Sequence, residues 1–213
     1  MINVVLIPVK RLCDAKGRLA GVLDGPARQR LTLAMLEDML GTLLAGGVAD
    51  KVMVCTPDAA LLRWLRWRHP RVAGRYSEGN LNAVCNAAIA QFPIMGFSHL
   101  TILHGDLPRV APEDLAALCG APADNIILAC DRHGTGTNAI HLPLPSRFQT
   151  MFGPGSLQRH LLECKRLGLG CEVLSGTGLS WDLDTPEDLA QLTLPQGGRT
   201  RQILEKVRMP FTV

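Results

Sequence analysis

The feature that most constrains the fold is the alternation of short apolar runs with longer helical patterns. Apolar runs of strand length occur at residues 3 to 9, 51 to 55, 99 to 104 and 125 to 130. Helical patterns occur at residues 26 to 44, 57 to 67, 80 to 92 and 112 to 118. Parallel neighbouring strands need crossover connections, and helices of this length supply them. The sequence therefore predicts a three-layer α/β/α fold around a mainly parallel sheet.

The length and the charge distribution indicate one main domain. A chain of 213 residues is long enough for one compact core. We expect this domain to span residues 1 to 192, followed by a C-terminal basic tail at 193 to 213. The tail carries the whole net charge of +3, because the remaining acidic and basic residues balance. The oligomeric state stays open, with a homodimer as the candidate assembly.

The composition also limits the compartment. Although 47% of the residues are apolar, the chain lacks an uninterrupted apolar run of about 18 residues, so we expect neither a signal peptide nor a membrane anchor. The seven cysteines are odd in number and form no CxxC pair. This pattern argues against a disulfide framework or a thiolate zinc site. A reducing cytoplasm is the predicted location, with no membrane contact.

One basic stretch, residues 63 to 71, combines arginines with tryptophans and resembles a nucleic-acid surface. An amphipathic helix explains it better, because Leu62 and Leu65 fall on one helical face while Arg63 and Arg66 fall on the other. We therefore predict no nucleic-acid partner.

A first acidic candidate stands where a buried strand should end. Asp106 follows the apolar run 99 to 104 and lies between Gly105 and Pro108. Glycine allows close approach of the backbone, and proline stops the strand. In open α/β sheets, ligands bind beyond the carboxyl ends of the strands. The Asp106 carboxylate is thus predicted to face a ligand.

A second acidic candidate lies in the segment WDLDTPEDL. Asp182 and Asp184 flank Leu183, so both point to the same side of an extended segment. Thr185 and Asp188 have the spacing of a capping box, which leaves the two earlier acids unexplained by helix capping. Acids from distant loops suit Mg²⁺, which takes few carboxylates and completes its coordination with water and phosphate oxygens.

A basic loop follows the first strand. It contains Lys10, Arg11, Lys16 and Arg18 around Gly17, but neither a P-loop nor a GxGxxG dinucleotide motif. Cations after the first strand of such a sheet are typical of a phosphate-binding loop. Together with Asp106 and Asp184, they predict a site for Mg²⁺ and a nucleoside triphosphate.

Six short motifs occur in one order along the chain. They are PVK at 8 to 10, AKGRL at 15 to 19, GDLP at 105 to 108, GTNA at 136 to 139, FGPGS at 152 to 156 and DLDTPEDL at 182 to 189. In this order they resemble the phospholactate guanylyltransferase family of coenzyme F420 biosynthesis, over roughly residues 2 to 192. The pairing of GTNA with FGPGS is specific, whereas the strand-end acid and DTPEDL are shared with many nucleotidyltransferases.

The resemblance implies a Rossmann-like, GT-A-like fold and the transfer of GMP from GTP to a small phosphorylated acid, with release of pyrophosphate. The acid is 2-phospho-L-lactate, phosphoenolpyruvate or 3-phospho-D-glycerate in different members. Carried over by motif, Asp106 and Asp184 would bind Mg²⁺, with Asp182 as a further candidate. The acid would be held by Thr137, Gly153 and Ser156.

The nucleotide would be held by residues of two segments. Pro8, Lys10, Lys16 and Arg18 lie at and after the first strand, and Asn80 and Asn82 lie in a segment that matches a Gly-Leu-Asn-Ala motif of the family. The attacking phosphate is already anionic, so catalysis needs alignment and charge neutralisation rather than a base. Lys16, Arg18 and Asp106 are the candidate catalytic residues. Ser156 is also placed to cap a helix predicted at 157 to 167.

Two other classes of protein remain open on the residues alone. A nucleotidyltransferase like the molybdenum-cofactor guanylyltransferases would share Asp106 and DTPEDL, but should begin with a Leu-Ala-Gly-Gly type loop that this sequence lacks. A non-catalytic nucleotide-binding module of the same fold would need no acceptor site, whereas GTNA and FGPGS are both intact.

Overall fold

The computed structural model describes residues 2–120, 124–194 and 197–208. Within these ranges seven strands form one sheet. They are β1 (Asn3–Pro8), β2 (Lys51–Thr56), β3 (Ala73–Tyr76), β4 (His99–Leu103), β5 (Ile126–Cys130), β6 (Thr137–Pro143) and β7 (Cys171–Leu174). Their order is β3-β2-β1-β4-β6-β5-β7. Only β6 runs antiparallel to its neighbours, β4 and β5, which confirms the predicted mainly parallel sheet.

Of the seven α-helices in the described residues, the first five connect strands and the last two follow β7. They are α1 (Gly25–Gly46), α2 (Ala59–Arg68), α3 (Leu81–Gln91), α4 (Pro112–Cys119), α5 (Ser156–Leu167), α6 (Pro186–Gln191) and α7 (Arg199–Arg208). In α2, Leu61 and Leu65 are buried, as an amphipathic helix requires. None of the helices described is both long enough and apolar enough to cross a membrane.

Two apolar clusters cover the two faces of the sheet. Within β1, Val5 and Ile7 pack with α1, α2 and α4, whereas Val4 and Leu6 pack with α3 and α5. Successive side chains of a strand point to opposite faces, so a strand buried on both sides is apolar throughout. This arrangement confirms the three-layer α/β/α prediction.

The predicted basic tail contains α7, which packs against α1. Asp38 of α1 accepts hydrogen bonds from the backbone N–H groups of Arg199 and Thr200, both at 2.8 Å. Leu204 is buried in a third apolar cluster with Leu31 and Met35. This part of the tail is therefore a helix held on the domain by a cap and by apolar contact.

Candidate active site

A cavity of about 540 Å³ opens at the carboxyl ends of β1 and β4. Sheets of this type bind ligands at that edge. Most of the residues predicted from the sequence line this cavity. They are Pro8, Lys10, Lys16, Asn80, Asp106, Gly153 and Asp184.

Three charged side chains meet in this cavity and form what we call the charged centre: Lys16, Asp106 and Asp184. The Lys16 ammonium lies 2.7 Å from Asp106 Oδ2 and 2.9 Å from Asp184 Oδ1. Lys16 is buried and has a left-handed backbone, with φ of 53°, which is uncommon outside glycine. The loop thus turns its lysine inward onto two acids that are distant in sequence.

The charges of the centre stabilise one another. Burial alone would lower the pKa of Lys16, but the facing carboxylates of Asp106 and Asp184 raise it above its ordinary value. Burial alone would raise the pKa of Asp106, but the Lys16 ammonium lowers it below the ordinary value. Lys16 and Asp106 are therefore ionised at neutral pH, and the side chain of Asp184 lies on the same ammonium.

Asp182 lies beside this centre in a different environment. Its Oδ1 is 3.4 Å from the Asn138 side-chain amide, which also donates to the Leu179 carbonyl. Burial, followed by the nearby Asp106 charge, raises the pKa of Asp182. The backbone N–H of Leu183 donates to the Asp106 carbonyl, which holds the segment that carries Asp182 and Asp184 against the end of β4.

The predicted capping box is confirmed and has a further effect. Thr185 Oγ1 accepts from the Asp188 N–H, and Asp188 Oδ2 accepts from the N–H groups of Thr185 and Asp184. Arg132 pairs with the other oxygen of Asp188. The box therefore positions Asp184 as well as beginning α6, and sequence spacing alone did not indicate this second role.

The donor set of the centre fits Mg²⁺. Asp106 Oδ1 is buried and has no hydrogen-bond partner, so one carboxylate oxygen is free for a ligand. Over residues 2–120, 124–194 and 197–208, no cluster of three or more His, Cys, Asp or Glu side chains could hold a metal. Mg²⁺ needs only one or two carboxylates when phosphate and water supply the remaining oxygens. Asp106 and Asp184 meet that requirement.

The other nucleotide candidates take different positions. Arg18 is mostly exposed, with its guanidinium 3.6 Å from Asp184 Oδ2. Asn80 lines the cavity and caps α3 by accepting from the Ala83 N–H. Asn82 instead binds the main chain of Phe152 through both its oxygen and its nitrogen, at 2.7 and 3.1 Å. Asn82 thus fastens α3 to the FGPGS segment.

Thr137 and Ser156 come together in a buried group that we call the hydroxyl cluster: Thr137, Ser156 and His160. The Thr137 N–H donates to Ser156 Oγ at 2.9 Å, and Thr137 Oγ1 lies 3.0 Å from His160 Nδ1. His160 Nε2 accepts from the Met151 N–H at 2.8 Å. Gly153, with φ of 121°, lines the cavity in front of this cluster.

The predicted cap at Ser156 is wrong. Gly155 is the N-cap of α5, Ser156 is the first residue of the helix, and no side chain caps it. The Ser156 hydroxyl is instead used by the N–H of Thr137 on β6. The cap prediction failed because this strand–helix contact depends on the tertiary fold.

The structure adds His104 to the cavity wall. His104 directly precedes Gly105 and Asp106, and its ring contacts Phe152 with centroids 4.8 Å apart. Burial lowers the pKa of His104 more than the surrounding carboxylates raise it, so the ring is neutral at pH 7. Its position just before the strand-end acid is the sequence signal that points to it.

The fold is one that solved nucleotidyltransferases and nucleotide-diphospho-sugar transferases share. A solved structure from Desulfovibrio desulfuricans, described as such a transferase, covers 98% of both chains with a TM-score of 0.77 and 17% identity. A Mycobacterium tuberculosis protein in complex with manganese covers 96% of this chain and 98% of its own, with a TM-score of 0.56 and 17% identity.

Sequence comparison gives the family. A family model described as guanylyl transferase CofC like matches residues 3–213, and the chain belongs to this family. The phosphoenolpyruvate guanylyltransferase of Sphaerobacter thermophilus is 35% identical over 90% of this chain and 93% of its own. The phosphoenolpyruvate guanylyltransferase of Rubrobacter xylanophilus is 36% identical over 92% of this chain and 96% of its own. The resemblance is confirmed, and the protein is a guanylyltransferase rather than a non-catalytic module.

Proposed function

We propose that the protein transfers GMP from GTP to a small phosphorylated three-carbon acid and releases pyrophosphate, as a step of coenzyme F420 biosynthesis. Phosphoenolpyruvate is the first candidate acid, because the relatives carry that name. The alternatives 2-phospho-L-lactate and 3-phospho-D-glycerate differ from it only at carbons 2 and 3. The charged centre is the observation that carries this proposal, because it faces the cavity with an unpartnered carboxylate oxygen.

In this proposal the chain supplies charge and alignment. Asp106 and Asp184 hold Mg²⁺, which when bound neutralises charge on the triphosphate. Lys16 and Arg18 offset the remaining negative charge, and Pro8 supports the nucleotide together with Lys10 and Asn80. The phosphate of the acid is the nucleophile and is anionic at pH 7, so no side chain has to remove a proton.

The acid is assigned to the wall formed by the FGPGS segment. Gly153 has backbone groups at the cavity, and the absence of a side chain lets a ligand approach closely. Thr137 and Ser156 support this wall from behind. The Ser156 N–H donates to the Gly153 carbonyl, and the Ser156 hydroxyl accepts from the N–H of Thr137 on β6. The three predicted acid-binding residues thus form one connected unit.

The test is an assay of purified protein with GTP and Mg²⁺ against each of the three acids, with products identified by mass spectrometry. We expect pyrophosphate and a guanylylated acid to form only when one of the acids is present. ATP and CTP in place of GTP are the controls for the base. Absence of a guanylylated product with all three acids would overturn the proposal.

A further inference from the structure

His104 has a side chain that the nucleotidyl-transfer scheme above does not use. It follows the last residue of β4, and its backbone N–H donates to the Asn138 carbonyl of β6 at 3.1 Å. The ring lines the cavity and packs on Phe152. Backbone pairing and ring contact together hold the imidazole in one place beside Asp106.

The Nε2 atom of this ring is buried and has no hydrogen-bond partner among the described residues. Burying a polar atom without a partner is unfavourable, so such atoms in native proteins call for an explanation. Because the ring forms part of the cavity wall, a ligand in the cavity is the simplest partner for this nitrogen.

The surroundings of His104 indicate which ligand this is. Asp106 lies two residues further along the chain, and Phe152 directly precedes Gly153, where we assign the acid. The candidate nucleotide contacts Pro8 and Asn80 come instead from β1 and from the N-terminus of α3. His104 therefore connects the charged centre with the acid-binding wall.

We propose that His104 Nε2 donates a hydrogen bond to an anionic oxygen of the phosphorylated acid and so selects and orients the acceptor. This inference rests on the proposed function. The donor role follows from the chemistry of the pair, because phosphate and carboxylate oxygens only accept, and an imidazole ring carries an N–H that can donate. Hydrogen bonds to charged groups are stronger than those between neutral groups.

Three variants test this role. His104→Phe keeps a ring against Phe152 and removes both nitrogens. His104→Gln places an amide N–H near the position of Nε2, whereas His104→Asn places its amide near Nδ1. We expect the Phe variant to lose about 10- to 150-fold in kcat/KM for the acid, with GTP affinity by calorimetry within about twofold of wild type. The Gln variant should recover most of the loss and the Asn variant little of it.

Several outcomes would overturn the assignment. Unchanged kcat/KM for the acid in a folded Phe variant would exclude the hydrogen bond from His104 to the acid. A loss of GTP affinity as large as the loss of kcat/KM would mean that His104 contacts the nucleotide instead. If the Phe variant does not fold, equal activity of the Gln and Asn variants would count against Nε2. A wild-type protein that uses none of the three acids marks failure of the proposed function instead, and this inference would fall with it.

Discussion

The charged centre lines the cavity, whereas the hydroxyl cluster lies behind the cavity wall at Gly153, and the two groups are held together by different interactions. In the charged centre, Lys16 forms ion pairs with Asp106 and Asp184, and Oδ1 of Asp106 has no hydrogen-bond partner. In the hydroxyl cluster, Ser156 and both ring nitrogens of His160 have partners within the protein. The charged centre can therefore accept a ligand, whereas the hydroxyl cluster stabilises the positions of β6 and α5.

The charges of the two groups indicate which of them would bind the metal. Two carboxylates against one ammonium leave the charged centre with an excess of negative charge, which suits a divalent cation. Breaking a buried ion pair is costly unless a new partner of the right charge arrives. The hydroxyl cluster contains no ionised group and gains nothing from a charged ligand. We therefore expect substitutions in the charged centre to lower kcat/KM, and substitutions in the hydroxyl cluster to lower the free energy of unfolding as well.

The largest effect is expected from Asp106→Asn. The substitution keeps the shape of the side chain but removes the charge that would face the metal and Lys16. We expect kcat/KM to fall about 100- to 1,000-fold, as for loss of one preorganised electrostatic group. Steady-state kinetics with GTP and the acid measure this loss.

The matched control is Asp124→Asn, the same change at an exposed aspartate outside the cavity, and it should leave kcat/KM unaltered. Urea unfolding of both variants separates lost chemistry from lost structure. Activity of the Asp106 variant close to that of wild type would remove this residue from the metal site.

Asp182 and Asp184, which flank Leu183, should differ in how much their substitution lowers activity. Asp184 contacts the Lys16 ammonium, whereas Asp182 lies beside the Asn138 amide and has a raised pKa. We expect Asp184→Asn to lower kcat/KM about 100-fold and Asp182→Asn about 10-fold, the range of a supporting group. Titration of Mn²⁺ into each variant in the presence of GTP measures metal affinity directly. A larger loss at Asp182 would reverse the assignment.

A change in the hydroxyl cluster should act on stability as well as on the acid. Ser156→Ala leaves the buried Thr137 N–H without its acceptor, which should lower the free energy of unfolding by about 1 to 3 kcal/mol. The same change should lower kcat/KM for the acid about 10-fold and spare GTP affinity, because it removes the hydrogen bond that holds the FGPGS segment on β6. Thr137→Val should behave similarly.

Ser175→Ala, at an exposed serine, is the control for the cluster and should change neither quantity. Stability equal to wild type together with a 100-fold loss for the acid would mean that the Ser156 hydroxyl contacts the acid directly. Weaker GTP binding would instead place the cluster on the nucleotide side.

The same contrast explains what the sequence could predict. Asp106 and Asp184 were recognisable because each stands beside a local signal, a strand end or a helix cap. The strand β6 was not predicted, because its buried Thr137, Asn138 and His141 interrupt the apolar pattern. The strands β3 and β7 were not predicted either, because each has only four residues and lies at an edge of the sheet. The bonds of His160 join segments that only the fold brings together.

The smallest expected effect concerns pH and distinguishes the two groups once more. His160 Nε2 accepts from the Met151 N–H, so the proton of the neutral ring is on Nδ1 and is donated to Thr137. A protonated ring would lose the Met151 bond. Burial, followed by the charge of Arg159, lowers the pKa of His160 to about 4, below the value of about 6.5 in unfolded chains.

Because the native pKa is depressed, the unfolded state binds more protons between pH 6.5 and about 4. The free energy of unfolding should therefore fall as the pH is lowered through this range, with a share from His160 of about 1 kcal/mol at pH 5.5. Buried His141 has a similarly lowered pKa and adds its own share, so single variants are needed to separate the two. Urea unfolding at pH 7 and pH 5.5 should show a weaker pH dependence for His160→Gln than for wild type. An unaltered pH dependence in that variant would mean that the neutral form of His160 is not what holds Met151 and Thr137 together.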